Sequence, residues 1–395
     1  MNEQTYVVKK DMGSHSLWKS GEPPFAQIDV ELTERCNNAC IHCSINRPAG
    51  DEEARSRELD TECWKNILGQ AVELGVMTVR FTGGEPLLRE DFAELYLFAR
   101  RLGLTVLLFT NACLITPQIA DILADIPPRE NIEVSVYGMK RESYEAVTGI
   151  AGSYAEFRKG LQCLLDRKIP FVVKGALLPP NKNEIEEFAA WAATIPWMEG
   201  DPPAYSMFFD LRGRRDSDAK NSLIRSLRVS PEEGLAIMTR HPESYRRETA
   251  ELYARFETPP GDRLFSCGAG RGGCVDAYGA FQPCLTLRHP DLTYDLKSGT
   301  LREALTSAFP RLKEMRATNR LYLERCARCF LRTICEQCPA KSWSEHGTLD
   351  TPVENCCRVT HAEARFLGLV AEGEQAWEVR GREERIKNLT RRISV

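Results

Sequence analysis

The stretch ELTERCNNACIHC, from Glu31 to Cys43, organises the rest of the chain. Its cysteines have the spacing Cys36-x3-Cys40-x2-Cys43, and they follow the apolar–polar run 26–32, which predicts a β-strand. A loop that leaves the end of a strand can aim three thiolates at one point. Three thiolates can hold three irons of a four-iron cubane and leave the fourth iron open to a substrate or a cofactor. A zinc knuckle, or three buried thiols, is the alternative interpretation of this spacing.

A second motif follows the next predicted strand, which spans Thr78 to Phe81. It consists of Gly83, Gly84, Glu85 and Pro86. Two glycines allow a backbone to approach a ligand closely, and here a carboxylate follows them at once. Considered alone, the motif also fits an ordinary strand-to-helix turn. Its position one strand after the three cysteines makes the combination specific.

Together the two motifs resemble the radical S-adenosylmethionine (SAM) superfamily. The resemblance implies that the three cysteines hold a [4Fe-4S] cluster and that the methionine part of SAM chelates the open iron. It also implies that the Gly-Gly-Glu-Pro segment contacts the SAM amino group. The residue before the third cysteine is usually aromatic in this family and lies by the adenine; here that residue is His42.

Composition limits the class of protein. The chain has 395 residues, enough for two domains or a barrel with an appendage, and its 43% hydrophobic content is ordinary for a globular protein. A net charge of -4 does not favour nucleic acid as a partner. No apolar run reaches the roughly 18 residues that a membrane span needs, and the N-terminus lacks the apolar core of a secretory signal. Because fifteen cysteines occur without such a signal, we expect thiolate metal ligands in a reducing cytoplasm.

Strand-like and helical patterns alternate from Ala26 to about Leu211. Their β-branched and apolar character predicts strands buried on both faces, and the alternation predicts a parallel sheet. The predicted strands are Gln27–Leu32, Thr78–Phe81, Thr105–Phe109, Asn131–Tyr137, Phe171–Leu178 and Tyr205–Leu211. The predicted helices are Leu59–Leu74, Glu90–Leu102, Pro117–Ala124, Ser153–Asp166 and Lys182–Thr194. Six strands are too few for an eight-stranded barrel. The resemblance implies an α/β fold with a partial (β/α)6 TIM-like barrel, whose site lies at the C-terminal ends of the strands.

Polar residues occur where three of these strands end. Asn111 follows the third strand, Ser135 lies in the fourth and Lys174 in the fifth. In the resembled family, a Ser or Asn at the end of the fourth strand contacts the SAM ribose, and polar groups on the fifth strand contact the ribose or the carboxylate. We expect Ser135 and Lys174, and also Asn111, to contact SAM. Satisfied polar groups at strand ends are the alternative.

Nine cysteines crowd the C-terminal part of the chain. They are Cys267, Cys274, Cys284, Cys326, Cys329, Cys335, Cys338, Cys356 and Cys357. One zinc takes four thiolates, so eight of them could hold two zincs. Their order, with a glycine five residues before Cys284, instead resembles the SPASM domain of radical SAM enzymes. That domain houses up to two auxiliary [4Fe-4S] clusters.

The resemblance implies interleaved ligands for two auxiliary clusters. The first would have Cys267, Cys274, Cys284 and Cys338, and the second would have Cys326, Cys329, Cys335 and Cys356. Four protein ligands close a cluster, so both would serve electron transfer or structure. Two residues rather than the usual three separate Cys335 from Cys338, and the adjacent Cys356 and Cys357 leave the last ligand open. We assign no role to Cys63, Cys113 or Cys163.

These patterns predict five segments. Residues 1–25 form an N-terminal arm, 26–211 the radical SAM partial barrel, 212–262 a helical bridge, 263–360 the SPASM domain, and 361–395 a C-terminal helix and tail.

The resemblance implies a radical SAM oxidoreductase or maturase. Such an enzyme cleaves SAM reductively to a 5'-deoxyadenosyl radical, which abstracts hydrogen from the substrate, and auxiliary clusters then accept the electron left on the substrate radical. SPASM enzymes often modify ribosomally made peptides or proteins, so we expect oxidative modification or crosslinking of a peptide. A small molecule such as a porphyrin is the alternative substrate, and a non-catalytic iron–sulfur electron-transfer protein is the alternative class. The sequence identifies no catalytic acid or base.

Partners follow from the same resemblance. We expect an electron donor such as flavodoxin or ferredoxin. No leader-peptide recognition domain fits before Ala26, so such a domain would be a separate protein. Sulfatase maturases have an aspartate after a cysteine of the first auxiliary cluster, whereas Leu285 follows Cys284 here, with Asp276 displaced. This difference argues against that substrate class.

Overall fold

Six parallel strands in chain order form the centre of the fold. The computed structural model describes residues 25–198 and 203–391, so nearly all of the predicted arm 1–25 lies outside the described residues. The strands are β1 Gln27–Thr33, β2 Arg35–Cys36, β3 Arg47–Pro48, β4 Thr78–Gly83, β5 Thr105–Thr110, β6 Arg129–Val136, β7 Phe171–Ala176, β8 Ala204–Ser206, β9 Gly273–Val275, β10 Ala280–Gln282 and β11 Tyr294–Asp295. The described residues form a nine-stranded sheet in the order β11-β10-β9-β1-β4-β5-β6-β7-β8. The parallel run from β1 through β4 to β8 confirms the predicted partial (β/α)6 barrel.

Helices connect the parallel strands, as predicted, and further helices follow them in the described part of the chain. They are α1 Glu52–Arg57, α2 Thr61–Glu73, α3 Phe92–Arg101, α4 Pro117–Asp125, α5 Arg141–Thr148, α6 Ser153–Asp166, α7 Ile185–Ala192, α8 Asp218–Leu227, α9 Pro231–Met238, α10 Pro242–Phe256, α11 Leu301–Glu303, α12 Arg320–Glu324, α13 Pro339–His346, α14 Glu354–Leu367 and α15 Arg382–Arg391. Helix α2 illustrates how the sequence defines them. Asp60 caps its N-terminus by accepting a hydrogen bond from the Cys63 N–H at 2.8 Å, and Trp64 and Leu68 lie on its buried face.

The two faces of the sheet differ, which corrects the expectation of strands buried on both sides. One face is apolar and fully buried, with residues such as Val30, Val79 and Val134. The other face carries charged side chains at the alternating positions. They include Asp29, Glu31, Arg80, Glu133 and Lys174. This polar face continues up to the strand ends that carry the predicted site.

Two predicted strands are shorter in the structure. Strand β7 ends at Ala176, and β8 covers only Ala204–Ser206 instead of continuing to Leu211. Phe209 and Leu211 are buried all the same, because they pack in an apolar cluster with Ile224. Burial in that cluster, rather than strand pairing, accounts for the apolar run.

The chain divides into two compact units. The first contains the residues up to 212 together with 217–227 and 269–310, and the second contains 213–216, 228–268 and the residues from 311 onward. The predicted bridge and the predicted SPASM domain are therefore each divided between the units. Strand β9 explains the second division, because it pairs in parallel with β1 and extends the barrel sheet.

The second unit has its own apolar core. Tyr253 of α10, Leu367 of α14 and Leu389 of α15 are buried in it. Helix α14 ends at Gly368, whose φ of 77° suits a left-handed C-terminal cap. Within the described part of the chain, no helix has both the length and the apolar character that crossing a bilayer requires.

Candidate functional site

The loop with the first three cysteines is anchored on both sides. Arg35 lies at the start of the loop, and its guanidinium donates hydrogen bonds to both carboxylate oxygens of Glu58, at 2.9 and 3.1 Å. Beyond Cys36, the Ala39 N–H donates to the Thr148 carbonyl oxygen at 2.8 Å, and the Ile41 N–H donates to the Val147 carbonyl oxygen at 3.0 Å. The loop is therefore tied to the C-terminus of α5 as well as to β1.

The cysteine sulfurs occupy an enclosed position. Burial raises the pKa of Cys36, with the nearby Glu85 as the next cause, and burial raises the pKa of Cys40 to about 12. The thiols of Cys36, Cys40 and Cys43 are close enough to affect one another electrostatically. Thiolates at this position therefore need a cation to offset their charge.

The donor set fits a four-iron cluster. Cys36, Cys40 and Cys43 present three free thiols on one loop, and each thiolate of such a cluster binds a different iron.

The two glycines of the second motif pack against the start of the cysteine loop. Gly83 has a φ of 127°, and a Cβ atom there would lie 2.2 Å from the Thr33 carbonyl oxygen; at Gly84 it would lie 2.1 Å from the Arg35 carbonyl oxygen. The Gly84 N–H donates to Thr33 at 2.7 Å and the Glu85 N–H donates to Arg35 at 2.9 Å. We predicted that the two glycines let a ligand approach the backbone closely; in the structure they also let the backbone of Thr33 and Arg35 approach. The predicted SAM contact of this motif, including Pro86, stays a prediction.

Glu85 holds the ends of two strands together. Its side chain is fully buried and accepts hydrogen bonds from the Leu87 N–H at 3.2 Å, the Thr110 hydroxyl at 2.8 Å and the Asn111 N–H at 2.8 Å. Burial raises the pKa of Glu85 to about 7. Both carboxylate oxygens are occupied by these donors, so the side chain joins the Gly-Gly-Glu-Pro segment to the end of β5.

Asn111 extends this connection to the cysteines. Its side-chain amide donates to the Asn37 oxygen at 2.9 Å and lies 3.7 Å from the Cys36 sulfur. The structure therefore brings Cys36, Glu85 and Asn111 together, three residues that the sequence analysis selected separately.

His42 lies in an aromatic cluster beside the same loop. Its ring centroid is 4.8 Å from that of Phe209 and 5.7 Å from that of Tyr137. Burial lowers the pKa of His42 to about 4, so the imidazole is neutral near pH 7. Its Nδ1 atom is buried and has no hydrogen-bond partner among the described residues. A polar ligand atom beside this ring would satisfy it.

Ser135 and Lys174 are neighbours on the polar face of the sheet, where they are register partners on β6 and β7. Lys174 forms an ion pair with Glu133, and its ammonium group lies 5.3 Å from the centre of the Phe109 ring. It is thus already engaged with the protein, and its contact with SAM stays a prediction, like that of Ser135.

A row of charged side chains on the polar face, further from the strand ends, was not among the predicted site residues. Arg80 pairs with Asp29 at 2.9 Å and also lies 4.9 Å from the centre of the Phe109 ring. The only sequence signal for these residues is their alternation with apolar positions in β1 and β4.

A buried ion pair was also missed. Arg288 pairs with Glu31, and the two side chains are only 4% and 1% exposed. Cys274 is buried beside them, and burial raises its pKa well above that of an ordinary thiol. The residues are too far apart in sequence for any local pattern to indicate the contact. Asp276 has a structural role, because its carboxylate accepts the Tyr278 and Ala280 N–H groups in the β9–β10 hairpin.

The C-terminal cysteines line a cavity of about 290 Å³ in the second unit. Those on its wall are Cys267, Cys326, Cys329, Cys335, Cys338 and Cys357. Cys356, the predicted ligand, does not line it. Adjacent residues of a helix point about 100° apart. Cys356 is buried on a neighbouring face of α14, within electrostatic reach of Cys335 and Cys338.

The four cysteines predicted to hold the first auxiliary cluster are divided between the units. Cys274 and Cys284 belong to the first unit, and Cys267 and Cys338 belong to the second. Their convergence on one cluster stays a prediction. Cys63 is exposed and Cys113 is buried, while Cys163 is half-buried.

Comparison with known proteins shows what this chain is similar to. Residues 30–192 match the model of the radical SAM superfamily. The PqqA peptide cyclase of Rhizobium meliloti (strain 1021) is 34% identical over 173 residues, which cover 44% of this chain and 45% of that protein. The chain thus spans about half the length of the curated peptide cyclases it matches. The AdoMet-dependent heme synthase of Methanosarcina barkeri is 26% identical over 81% of this chain and 93% of that protein.

Solved structures share the fold. The structure "Native anSMEcpe with bound AdoMet and Cp18Cys peptide" has a TM-score of 0.61 at 14% identity, covering 94% of this chain and 100% of that chain. Streptococcus suis SuiB bound to S-adenosylmethionine has a TM-score of 0.60 at 16% identity, covering 85% of this chain and 77% of that chain.

Proposed function

The chain belongs to the radical SAM superfamily, in its SPASM-domain type, and we propose that it cleaves SAM reductively to oxidise or crosslink a peptide. The observation that carries the proposal is the junction of three motifs. The Gly83–Glu85 backbone is hydrogen-bonded to the residues that lead into Cys36, and the Asn111 side chain reaches the Cys36 sulfur.

The membership implies a [4Fe-4S] cluster and SAM as cofactors. We assign three irons to Cys36, Cys40 and Cys43. When bound, the cluster supplies the electron that splits SAM into methionine and a 5'-deoxyadenosyl radical, which removes a hydrogen atom from the substrate.

The residues around the cluster hold SAM and keep the site organised. The backbone of Gly83, Gly84, Glu85 and Pro86 contacts the SAM amino group, and His42 lies by the adenine. Polar groups at the strand ends contact the rest of SAM, as assigned to Asn111, Ser135 and Lys174. Glu85 positions these elements through its buried hydrogen bonds.

Two auxiliary [4Fe-4S] clusters complete the proposed cofactor set. We assign Cys326, Cys329 and Cys335 to the second cluster, as the resemblance implies, and Cys357 as its last ligand, because Cys357 lines the same cavity as those three. The ligands proposed for the first are Cys267, Cys274, Cys284 and Cys338. The domain limits follow the sequence division, with the barrel at 26–211 and the SPASM domain at 263–360. These residues would hold closed clusters, which would accept the electron that a substrate radical loses when it is oxidised.

A peptide substrate is supported by the similarity to PqqA peptide cyclase and by the peptide in the anSMEcpe structure. A porphyrin-like small molecule is the second candidate, because the alignment with heme synthase covers 93% of that relative. We further propose a flavodoxin or ferredoxin as electron donor, a separate leader-peptide-binding protein, and a location in the reducing cytoplasm, where exposed thiols survive.

The test uses anaerobically reconstituted protein. Iron and sulfide are measured first, and about twelve irons per chain are expected for three four-iron clusters. Release of 5'-deoxyadenosine with SAM and dithionite then tests cleavage, and mass spectrometry with small peptides or a porphyrin identifies the substrate class. About eight irons without release would favour an electron carrier. Zinc without sulfide would contradict the cluster assignment as a whole.

A further inference from the structure

One arginine of the second unit is directed at a cysteine of the cavity. Arg325 directly precedes Cys326, and its side chain is only 19% exposed. Its Nη2 atom lies 3.4 Å from the sulfur of Cys357, within hydrogen-bond distance for a sulfur acceptor. The guanidinium therefore donates to the thiol that we assign as the last ligand of the second auxiliary cluster.

Two neighbours hold Arg325 in this orientation. Its Nη1 and Nη2 atoms donate to the two carboxylate oxygens of Glu354 at 2.6 and 3.1 Å. The Trp377 ring lies below the guanidinium, with its centre 4.6 Å from the Arg325 Cζ atom. A guanidinium that already makes two hydrogen bonds to one carboxylate and stacks on a ring loses little further conformational freedom when it also donates to sulfur. Glu354 and Cys357 are on the same helix, so the carboxylate that holds Arg325 and the sulfur that receives its hydrogen bond keep a constant separation.

A second donor approaches the same sulfur. The Nε2 atom of His361 accepts a hydrogen bond from the Ala376 N–H at 3.2 Å, so the hydrogen of the neutral ring lies on Nδ1. That Nδ1 atom is 2.9 Å from the Cys357 carbonyl oxygen and 3.6 Å from the Cys357 sulfur. Cys357 thus faces one charged donor and one neutral donor.

We propose that Arg325 raises the reduction potential of the second auxiliary cluster. The potential of an iron–sulfur cluster depends on its net charge and on hydrogen bonds to its sulfurs. Reduction adds one electron and hence one negative charge, while Arg325 keeps its proton throughout. A cation that donates to a ligand sulfur therefore stabilises the reduced form more than the oxidised form. The inference rests on the proposed function, since it requires a cluster in this cavity.

The experiment measures potentials in the full-length chain. Cys36, Cys40 and Cys43 are replaced by alanine, so that only the C-terminal clusters contribute to the EPR spectrum during a redox titration. The titration step that disappears in Cys357→Ser identifies the second cluster. Arg325→Gln and Arg325→Lys are compared with Arg328→Gln, a matched control that removes the same charge from an exposed position on the same segment.

We expect Arg325→Gln to shift that one step to lower potential and Arg328→Gln to leave it nearly unchanged. Arg325→Lys keeps the charge but cannot make the paired hydrogen bonds that orient Arg325 on Glu354, so a smaller shift in the same direction is expected. If Arg325→Gln loses iron, the lysine variant decides the question. An unchanged potential, equal shifts in Arg325→Gln and Arg328→Gln, or loss of iron from both Arg325 variants would overturn the inference. A parent protein without iron–sulfur signals would instead contradict the auxiliary clusters themselves.

Discussion

The Asn111 N–H donates a hydrogen bond of 2.8 Å to the buried carboxylate of Glu85, and the Asn111 side chain in turn faces Cys36. We expect Glu85→Gln to lower the free energy of unfolding by about 1–3 kcal/mol, because an amide cannot accept all the hydrogen bonds that converge on the carboxylate. Denaturant unfolding measures the loss. Glu90→Gln is the control, since the Glu90 side chain is 88% exposed and should change stability by less than about 0.5 kcal/mol. Equal effects of the two variants would contradict the organising role of Glu85.

Removing the first three cysteines should separate the cluster sites. We expect the combined variant Cys36→Ala, Cys40→Ala and Cys43→Ala to release no 5'-deoxyadenosine and to lose about four irons per chain while the remaining iron stays bound. Cys63→Ala is the control, because Cys63 is exposed and lies outside every proposed ligand set. Continued release of 5'-deoxyadenosine from the triple variant would show that the assignment is wrong.

Gly84 tests the packing between the second motif and the cysteine loop. A methyl group at this position would meet the Arg35 carbonyl oxygen at 2.1 Å, and backbone atoms cannot yield as a flexible side chain can. We expect Gly84→Ala to cost about 1–3 kcal/mol of stability and to reduce iron binding by the cysteine loop. Gly69→Ala on α2 is matched in chemistry, and nothing lies within 4 Å of its added methyl group. This control should be neutral or stabilising by up to about 1 kcal/mol.

The adjacent cysteines of α14 make a matched pair. We expect Cys357→Ser to remove about four irons per chain, because Cys357 lines the cavity with the three other ligands proposed for the second cluster. Cys356→Ser should retain that iron. Iron analysis and EPR of the two variants check the assignment, and the reverse result would restore the ligand set that the sequence predicted.

Glu363 should make the stability of the second unit depend on pH. Burial raises the pKa of this carboxyl from 4.5 to about 7, and Glu336 is the next cause. Tyr245, Tyr253 and Cys335 are also within electrostatic reach. Because its pKa is higher in the folded state, folded protein holds the Glu363 proton more tightly than unfolded protein does. The contribution of this proton to the free energy of unfolding is fully present below pH 4.5 and is lost as the pH rises through about 7.

Unfolding of the reconstituted protein at a series of pH values measures this effect. A single group changes the free energy of unfolding by at most about 1.4 kcal/mol per pH unit. Glu363→Gln should flatten the decline between pH 5 and pH 7. An identical slope in the parent and the variant would assign the pH dependence to other groups.

Local sequence patterns predicted the parts of the fold whose cause is local. The strand ahead of Cys36 follows from alternation, and the helix Thr61–Glu73 follows from the helical spacing of its apolar residues. Both patterns depend on residues that are close in sequence. The Cys36 and Gly83 motifs also carry their own spacing. These features were therefore accessible without coordinates.

Contacts between distant segments were not accessible in the same way. Arg288 pairs with Glu31, and β9 pairs with β1, although neither segment carries a pattern that points to the other. The choice between Cys356 and Cys357 depends on the rotation of one helix relative to a cavity, and two adjacent identical residues carry no information about that rotation. The early end of β8 reflects burial of Phe209 in a side-chain cluster, which imitates the composition of a strand.

The pairing of β1 with β9 has a consequence for biosynthesis. Strand β1 leads into the first cysteines, whereas its partner β9, at Gly273–Val275, emerges from the ribosome long after β1. Pairings between segments so far apart form late, because a long loop must close before they contribute stability. During translation, one edge of β1 therefore remains open beside the cysteine loop.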